Sequence, residues 1–429
     1  MSSADFLTDF HHVATIGATP REGVDRQAAT AEDAQSRAWF SKWVADAGYT
    51  LHVDGIGNMF GLIEWTPGAP YVLVGSHLDS QPLGGRFDGA YGVLAALHAA
   101  RNIDELVTTN GTVPPFNLAV VNWFNEEGGR FAPSVMGSSV FVGLFDQEKM
   151  LDTTDLAGVT ARAALAEIGY LGTDPRPVTV SYAEIHIEQG RILEREGIAV
   201  GVVDRSWYTQ KLDIEVLGEQ SHTGATAMAD RHDALVAAAK IILMVREVTT
   251  DFADEAIVSS VGQLTLEPNS PIVVARRVRL VADLRSGNPE IVQAARATLL
   301  EKIAVLALEH DIQINVTDFD IRPIRYFPEN GLQLAEQAAI RAGLSTRRIQ
   351  TMAGHDSVAM NTIVPSIMLF IPSVDGVSHC EREFTTDADM VAGLTLLTEI
   401  ATDLVNGALV DPALSPALAA SARAESGQA

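Results

Sequence analysis

A single cysteine, Cys380, stands in 429 residues. With no second thiol, an intrachain disulfide framework is excluded, and a reducing cytoplasm is the expected compartment. Positive charge is also scarce. Thirty Lys and Arg face 55 Asp and Glu, a net charge of −25. That balance argues against nucleic acid and against anionic membrane surfaces as partners. It does not exclude a small anionic substrate, which responds to a local field. No uninterrupted apolar run reaches the ~18 residues of a membrane span. The opening "MSSADFLTDFHH" lacks the basic start and apolar stretch of a secretory signal. Internal repeats are absent as well.

What is there is a core-forming composition, 47% hydrophobic and 20% charged. Residues 30–48 read as an amphipathic helix, with Thr30 and Asp33 as a capping box and Gly48 as its stop. Trp39, Trp43, Val44 and Ala47 recur on its core face. "YVLVGSHLD" (71–79) and "FNLAVVNWF" (116–124) are continuous apolar runs, which suit strands buried on both faces of a parallel sheet. "GAYGVLAALHAARNI" between them reads as a helix. "SYAEIHIEQ" (181–189) alternates, with Glu184, His186 and Glu188 on one face, and "GIAVGVV" is a further strand.

Near residue 208 the pattern changes. A half-exposed strand, an Ala-rich helix over about 227–248, two strands, a helix over about 289–310 and a last strand follow. This β-α-β-β-α-β order suits a small antiparallel sheet with two helices on one face. A helix from 331, the strand "PSIMLFIPS" and a helix near 388–406 then resume the first pattern. The expected fold is an α/β domain (1–207 and 328–412), a mostly parallel mixed sheet flanked by helices. An inserted α+β domain (208–327) interrupts it. The small, polar residues 413–429 read as a disordered tail.

His77 and Asp79 follow one apolar strand, and Glu126 and Glu127 end the next. Asp88 stands among glycines in "GGRFDGAYG", His186 lies in "EIHIEQG", and His379 follows a later strand. Ligands of open α/β sheets sit beyond the carboxyl ends of strands. Any one of these residues alone is an ordinary surface or core group. Together they offer the mixed N/O shell of zinc, manganese, cobalt or nickel.

"GSHLDSQPLGGRFDGAYGV", "NEEGGRFAPSVMGSSVF", "HIEQG", "SHTGATAMADRHDAL", "GHDS" and "PSVDGVSHCEREFT" occur in this order. The chain thereby resembles the amidase, hydantoinase/carbamoylase family of the metal-dependent aminoacylase/carboxypeptidase superfamily. That family includes N-carbamoyl-L-amino acid hydrolases, beta-ureidopropionases and allantoate amidohydrolases. The resemblance implies a site of two divalent ions, zinc first, with manganese, cobalt or nickel as alternatives. His77, Asp88 and His186 would hold one ion. Asp88, Glu127 and His379 would hold the other. Asp79 would orient His77, and Glu126 would be the general base. Gln189, His222, Arg285 and His355 would contact substrate. The inserted domain would be a lid and the contact of a homodimer.

The implied reaction is hydrolysis of a small N-carbamoyl acid. A true amide, as in aminoacylases and dipeptidases, or allantoate is the alternative. One departure bears on that choice. Ile272 stands where the family usually places a substrate-binding asparagine, and Ala275–Arg276 replace the usual Pro-Gly. A non-catalytic scaffold would be expected to have lost a ligand or the base, and neither is missing.

Overall fold

The computed structural model describes residues 3–410; the tail expected at 413–429 lies outside them. The chain forms two compact units. One ends at Asp204 and resumes at Tyr326, and the other is Arg205–Arg325.

In chain order the first unit contributes β1 (Thr50–Val53), β2 (Met59–Ile63), β3 (Tyr71–His77), β4 (Asn117–Trp123), β5 (Thr179–Ile187) and β6 (Val200–Ser206). The second unit holds β7 (Tyr208–Leu217), β8 (Ser221–His222), β9 (Val258–Glu267), β10 (Val273–Val274), β11 (Arg277–Ser286) and β12 (Gln313–Arg322). β13 (Thr346–Thr351) and β14 (Ser366–Ile371) return to the first.

The larger sheet runs β1-β2-β4-β3-β5-β14-β6-β13. Its centre, β4-β3-β5-β14, is parallel throughout. β2 joins β4 antiparallel, and β6 joins β14 antiparallel. Alternate side chains feed two cores. Val72, Val74, Leu118 and Val120 face one, while Leu73, Ala119, Val121 and Trp123 face the other. A sheet covered on both faces needs apolar residues at every position, hence the unbroken runs. β5 obeys the same rule: every residue from Val180 to Ile187 is buried. The alternation read from its sequence therefore does not mark a half-exposed strand. Glu184 is buried without unpaired oxygens, because Ser76 Oγ (2.8 Å) and the Ser357 amide (2.8 Å) donate to it.

The helix Ala31–Asp46 begins at Thr30, whose hydroxyl accepts from the Asp33 amide. Asp33 reaches back to the Ala29 amide and forms a buried pair with Arg37 at 2.7 Å. Helices Ala90–Asn110 and Asp387–Val405 supply much of the larger core.

In the second unit the sheet order is β12-β7-β11-β9, all antiparallel. Leu212, Ile214, Val216, Val278, Leu280 and Ala282 pack on helices Ala234–Glu247 and Pro289–His310. The first of these helices starts later than its Ala-rich sequence suggests. Asp233 caps it by accepting from the Leu235 and Val236 amides, and the carbonyl of His232 is engaged by the Glu219 amide. Residues 228–230 form a separate 3₁₀ turn. No helix among the described residues is long and apolar enough to cross a membrane.

Candidate metal centre

The four parallel strands end on one row of functional groups. His77 is the last residue of β3, and His186 is the penultimate residue of β5. Glu126 and Glu127 follow β4, and His379 follows β14. Asp88 lies between β3 and the helix Ala90–Asn110. After β4 the chain turns sharply: Asn125 takes φ +51° and Gly128 φ +65°. A Cβ on Gly128 would lie 2.6 Å from the Ser134 backbone, so only glycine fits. The turn frees the two glutamates from the opposed directions of a strand.

His77, Asp88 and His186 present ligand atoms within 4.8 Å of one another, and so do Asp88, Glu127 and His379. Asp88 belongs to both groups, one oxygen to each. Its Oδ1 lies 3.4 Å from His77 Nε2 and 3.0 Å from His186 Nε2. Its Oδ2 lies 3.5 Å from His379 Nε2, which is 3.3 Å from Glu127 Oε2.

The imidazoles are oriented as metal ligands require. His186 Nδ1 donates to the Ile187 carbonyl at 2.9 Å, and its Nε2 accepts from the Gly89 amide, so Nε2 carries a lone pair. His77 Nδ1 donates to the backbone carbonyl of Asp79 at 2.9 Å. Asp79 thus orients His77 through its carbonyl, while its carboxylate lies 3.6 Å from the ring nitrogen. That carboxylate also accepts from the amides of Glu126 (3.2 Å) and Glu127 (3.3 Å), holding the acidic pair in place. Gly89 lies directly against His77, where a Cβ would come within 2.4 Å of the ring nitrogens.

The electrostatics call for cations. Burial pushes Glu126 well above the usual carboxylate range, with Asp356, Glu127 and Asp88 adding to it against His77. Burial and then Asp88 raise Glu127. Burial would lower His77 and His379, yet the surrounding carboxylates prevail. His77 is held well above its ordinary value and His379 rises to about 10. Asp88 is held well below its range, despite burial, by His186, His379 and His77. Without ions, protons on His77 and His379 balance the acids. His77 Nε2 is also buried with no hydrogen-bond partner. An orphaned nitrogen facing carboxylates fits a divalent ion, and the mixed N/O donor set agrees.

Residues 73–403 match the description of peptidase family M20/M25/M40. The chain belongs to this family. A protein of Mycolicibacterium smegmatis named as a hydrolase is 50% identical, with 94% of each chain covered. The N-carbamoyl-L-amino-acid amidohydrolase of Rhizobium meliloti is 34% identical, covering 92% of this chain and 95% of that one. Among solved structures, a hydantoinase/carbamoylase family amidase from Burkholderia vietnamiensis superimposes with a TM-score of 0.90 at 34% identity. It covers 96% of this chain and 98% of its own. Within the M20 family the chain groups with these amidases and is an amidohydrolase.

The remaining expected residues of this M20 chain divide between the units. Gln189 donates to Asp88 Oδ2 at 2.6 Å, leaving its Oε1 buried and unpartnered. His355 packs its ring 4.7 Å from that of His186 and is held well below its ordinary pKa by burial and by His186. It is a neutral imidazole with an unpartnered Nε2. His222 and Arg285 lie on the other unit. Nδ1 of the exposed His222 accepts from the Gly224 and Ala225 amides, which leaves the proton on Nε2. Arg285 forks onto Asp283 of its own strand at 2.7 Å. Ile272, at the position of the missing asparagine, is 68% exposed, and its carbonyl receives the Thr223 hydroxyl next to His222.

Several residues around the ligands escape a reading of the sequence. Gln81 donates from Nε2 to Glu127 Oε2 at 2.9 Å. Arg26, fully buried, donates to the Leu78 carbonyl and ties the loop after β3 to the N-terminal segment. Glu383 and Ser378 contact Asp88 from the His379 loop. "SQ" after "HLD" and an acid four residues after His379 are the only signals, and neither has a periodicity to mark it.

Proposed function

We propose that the chain is a binuclear metal-dependent amidohydrolase acting on a small N-carbamoyl acid, such as an N-carbamoyl amino acid. The observation that carries this reading is the pair of ligand groups sharing Asp88, one carboxylate oxygen to each. Bound divalent ions would supply Lewis-acid activation of water and neutralise charge on the scissile carbonyl. His77, Asp88 and His186 would hold one, and Asp88, Glu127 and His379 the other.

Glu126 is the proton carrier in this proposal. Its carboxylate is buried and lies 3.5 Å from His77 Nε2, at the edge of the ligand cluster. It takes a proton from the attacking water and returns it to the leaving nitrogen. For a carbamoyl amino acid, one water yields the amino acid, ammonia and carbon dioxide. His222 offers an Nε2–H to the developing oxyanion. Arg285 offers a planar fork to a substrate carboxylate, after exchanging or sharing Asp283.

Ile272 favours a second reading within the same chemistry. An apolar side chain at this position removes a hydrogen-bond partner for the substrate's acid end, and such a loss can shift discrimination by orders of magnitude. An N-acyl amino acid, a dipeptide or allantoate is then the competing substrate. A homodimer joined through the lid unit is also proposed. The ten-residue edge strand β9, paired only with β11 among the described strands and largely exposed, supports it.

The test is release of ammonia and, in parallel, of free amino acid from a panel of carbamoyl, acetyl and dipeptidyl substrates and allantoate, before and after chelation. Ammonia from ureido acids, lost on chelation and regained with zinc or manganese, is the expected result. Turnover indifferent to thorough metal removal would refute the mechanism, and turnover confined to dipeptides would transfer the assignment to the second reading.

A further inference from the structure

We infer that Glu383 is a positioning residue that locks the His379 loop to the Asp88 loop and thereby forms the second cation site. The inference rests on the two-metal reading above.

The two ligand groups are supported differently. His77 and His186 stand on strand ends and are about 1% exposed. His379 is 50% exposed in its side chain, lies in a loop and takes φ +55°. A half-exposed ligand with left-handed backbone does not hold its own position. Something must fix its loop relative to Asp88.

Glu383, 4% exposed, has the contacts for this. It follows His379 by four residues, and its amide closes a turn onto the Cys380 carbonyl at 3.0 Å. Its Oε1 accepts from two successive amides of the other loop, Phe87 at 3.1 Å and Asp88 at 3.0 Å. Its Oε2 is 2.7 Å from Ser378 Oγ, the neighbour of His379, and that hydroxyl is 3.0 Å from Asp88 Oδ2. One side chain therefore fixes the backbone of Asp88 and holds Ser378, whose single hydroxyl proton lies between Glu383 and the Asp88 oxygen that faces His379.

The second glycine of "GGRFDG" follows from the same contact. A Cβ on Gly85 would lie 1.9 Å from Glu383 Oε1 and 2.1 Å from its Cδ. The Asp88 loop is hollowed at this point to admit the carboxylate of the His379 loop. Removing the carboxylate, or filling the hollow, should free His379 while leaving His77 and His186 on their strands.

The experiment is a zinc titration of the metal-free full-length protein against a chromophoric chelator, with His379→Ala as the reference for a lost second site. Wild type should bind two ions. Glu383→Ala should keep the tighter ion and bind the second 10- to 100-fold more weakly, the usual effect of losing a residue that supports a ligand. Gly85→Ala, which displaces the carboxylate without deleting it, should reproduce that loss and keeps the test open should Glu383→Ala not fold. Glu383→Gln should restore the second ion to within a few-fold. Its amide oxygen can accept from both backbone amides, and its NH₂ can donate to Ser378, freeing that hydroxyl for Asp88. Two ions held with wild-type affinity in Glu383→Ala or Gly85→Ala would overturn the inference, as would equal weakening of both. A single ion in wild type would instead overturn the two-metal reading.

Discussion

Both units place carboxylates on β-structure, with opposite results. On the face of the second unit's sheet opposite its helices, the acids are paired with cations of their own. Asp213 pairs with Arg279 (2.7 Å), Glu215 with Arg277 (2.6 Å), Asp283 with Arg285 (2.7 Å), and Asp320 with Lys211 and Arg322. The first three pairs are partly open to water. At the strand ends of the larger unit, Asp79, Asp88, Glu126, Glu127 and Glu383 are buried together. Among the described residues, histidines are the cationic groups within ion-pair distance of Asp79, Asp88, Glu126 and Glu127, while Arg37 and Arg26 act on Asp79 from farther away. A buried charge left without a partner costs far more than an exposed one. The second unit's sheet balances its acids with its own cations, whereas the strand-end cluster relies on histidines, whose place as its counter-charge the proposed divalent ions would share.

The sharpest way to break this contrast is to neutralise one acid of the cluster. Glu126→Gln should lower turnover by about 10²- to 10⁴-fold, the range of a general base, while metal content by mass spectrometry stays at the wild-type value. A fully active variant would remove Glu126 from the base role.

Metal removal comes next. If the cluster lacks its counter-charge, zinc at about a thousandfold excess over its Kd should stabilise the fold by about 4 kcal/mol. Scanning calorimetry should register this as a rise of several degrees over the chelated protein. An unchanged midpoint would mean that the acids are balanced without ions.

A third effect is in pH. Asp79 and Glu383 are pushed up to about 7 by burial foremost, and His379 to about 10 by Glu127 and Asp88 against burial. All three bind protons more tightly folded than unfolded. Their contribution is complete below the ordinary values of 3.8, 4.5 and 6.5 and is lost as pH rises through about 7 and then about 10. The midpoint of the metal-free protein should therefore fall as pH increases from about 5 to 10. The metal-loaded protein, with ions in place of those protons, should show a flatter curve. A metal-free midpoint that climbs over this range would contradict the role given to the protons.

The smallest effect belongs to the sheet of the second unit. Arg279→Ala should change stability by less than about 1 kcal/mol in denaturant melts, because its pair with Asp213 is solvent-exposed. A loss as large as that from metal removal would erase the distinction between the two regions.

Legibility follows local signals. Pro289–His310, with Asn288 as its cap, and the apolar strands β3, β4 and β14 are readable almost to the residue. β5 is not. Its Glu184 and His186 look like the polar face of an exposed strand, and the partners that permit their burial lie far away in sequence, at Ser76, Ser357 and Asp88. The helix at Ala234 reads too early because alanine content marks propensity and not the cap at Asp233. The ligands are legible as residues at strand ends, their pairing only through resemblance, and their supports, Gln81, Ser378 and Glu383, not at all.

By itself the sequence determined the apolar runs, the glycines and the order of ligand-bearing segments, since these depend on neighbours along the chain. It did not decide which acid faces what. Glu126 and Glu127 are adjacent and chemically alike. Their difference arises because the end of β3 brings His77 to Glu126 and the loop after it brings Gln81 to Glu127. Asp88 acquires two groups of partners because β5 and β14 are neighbours in the sheet. Charge and burial act through space, so the tertiary structure alone could divide these carboxylates between holding a cation and holding one another's loops.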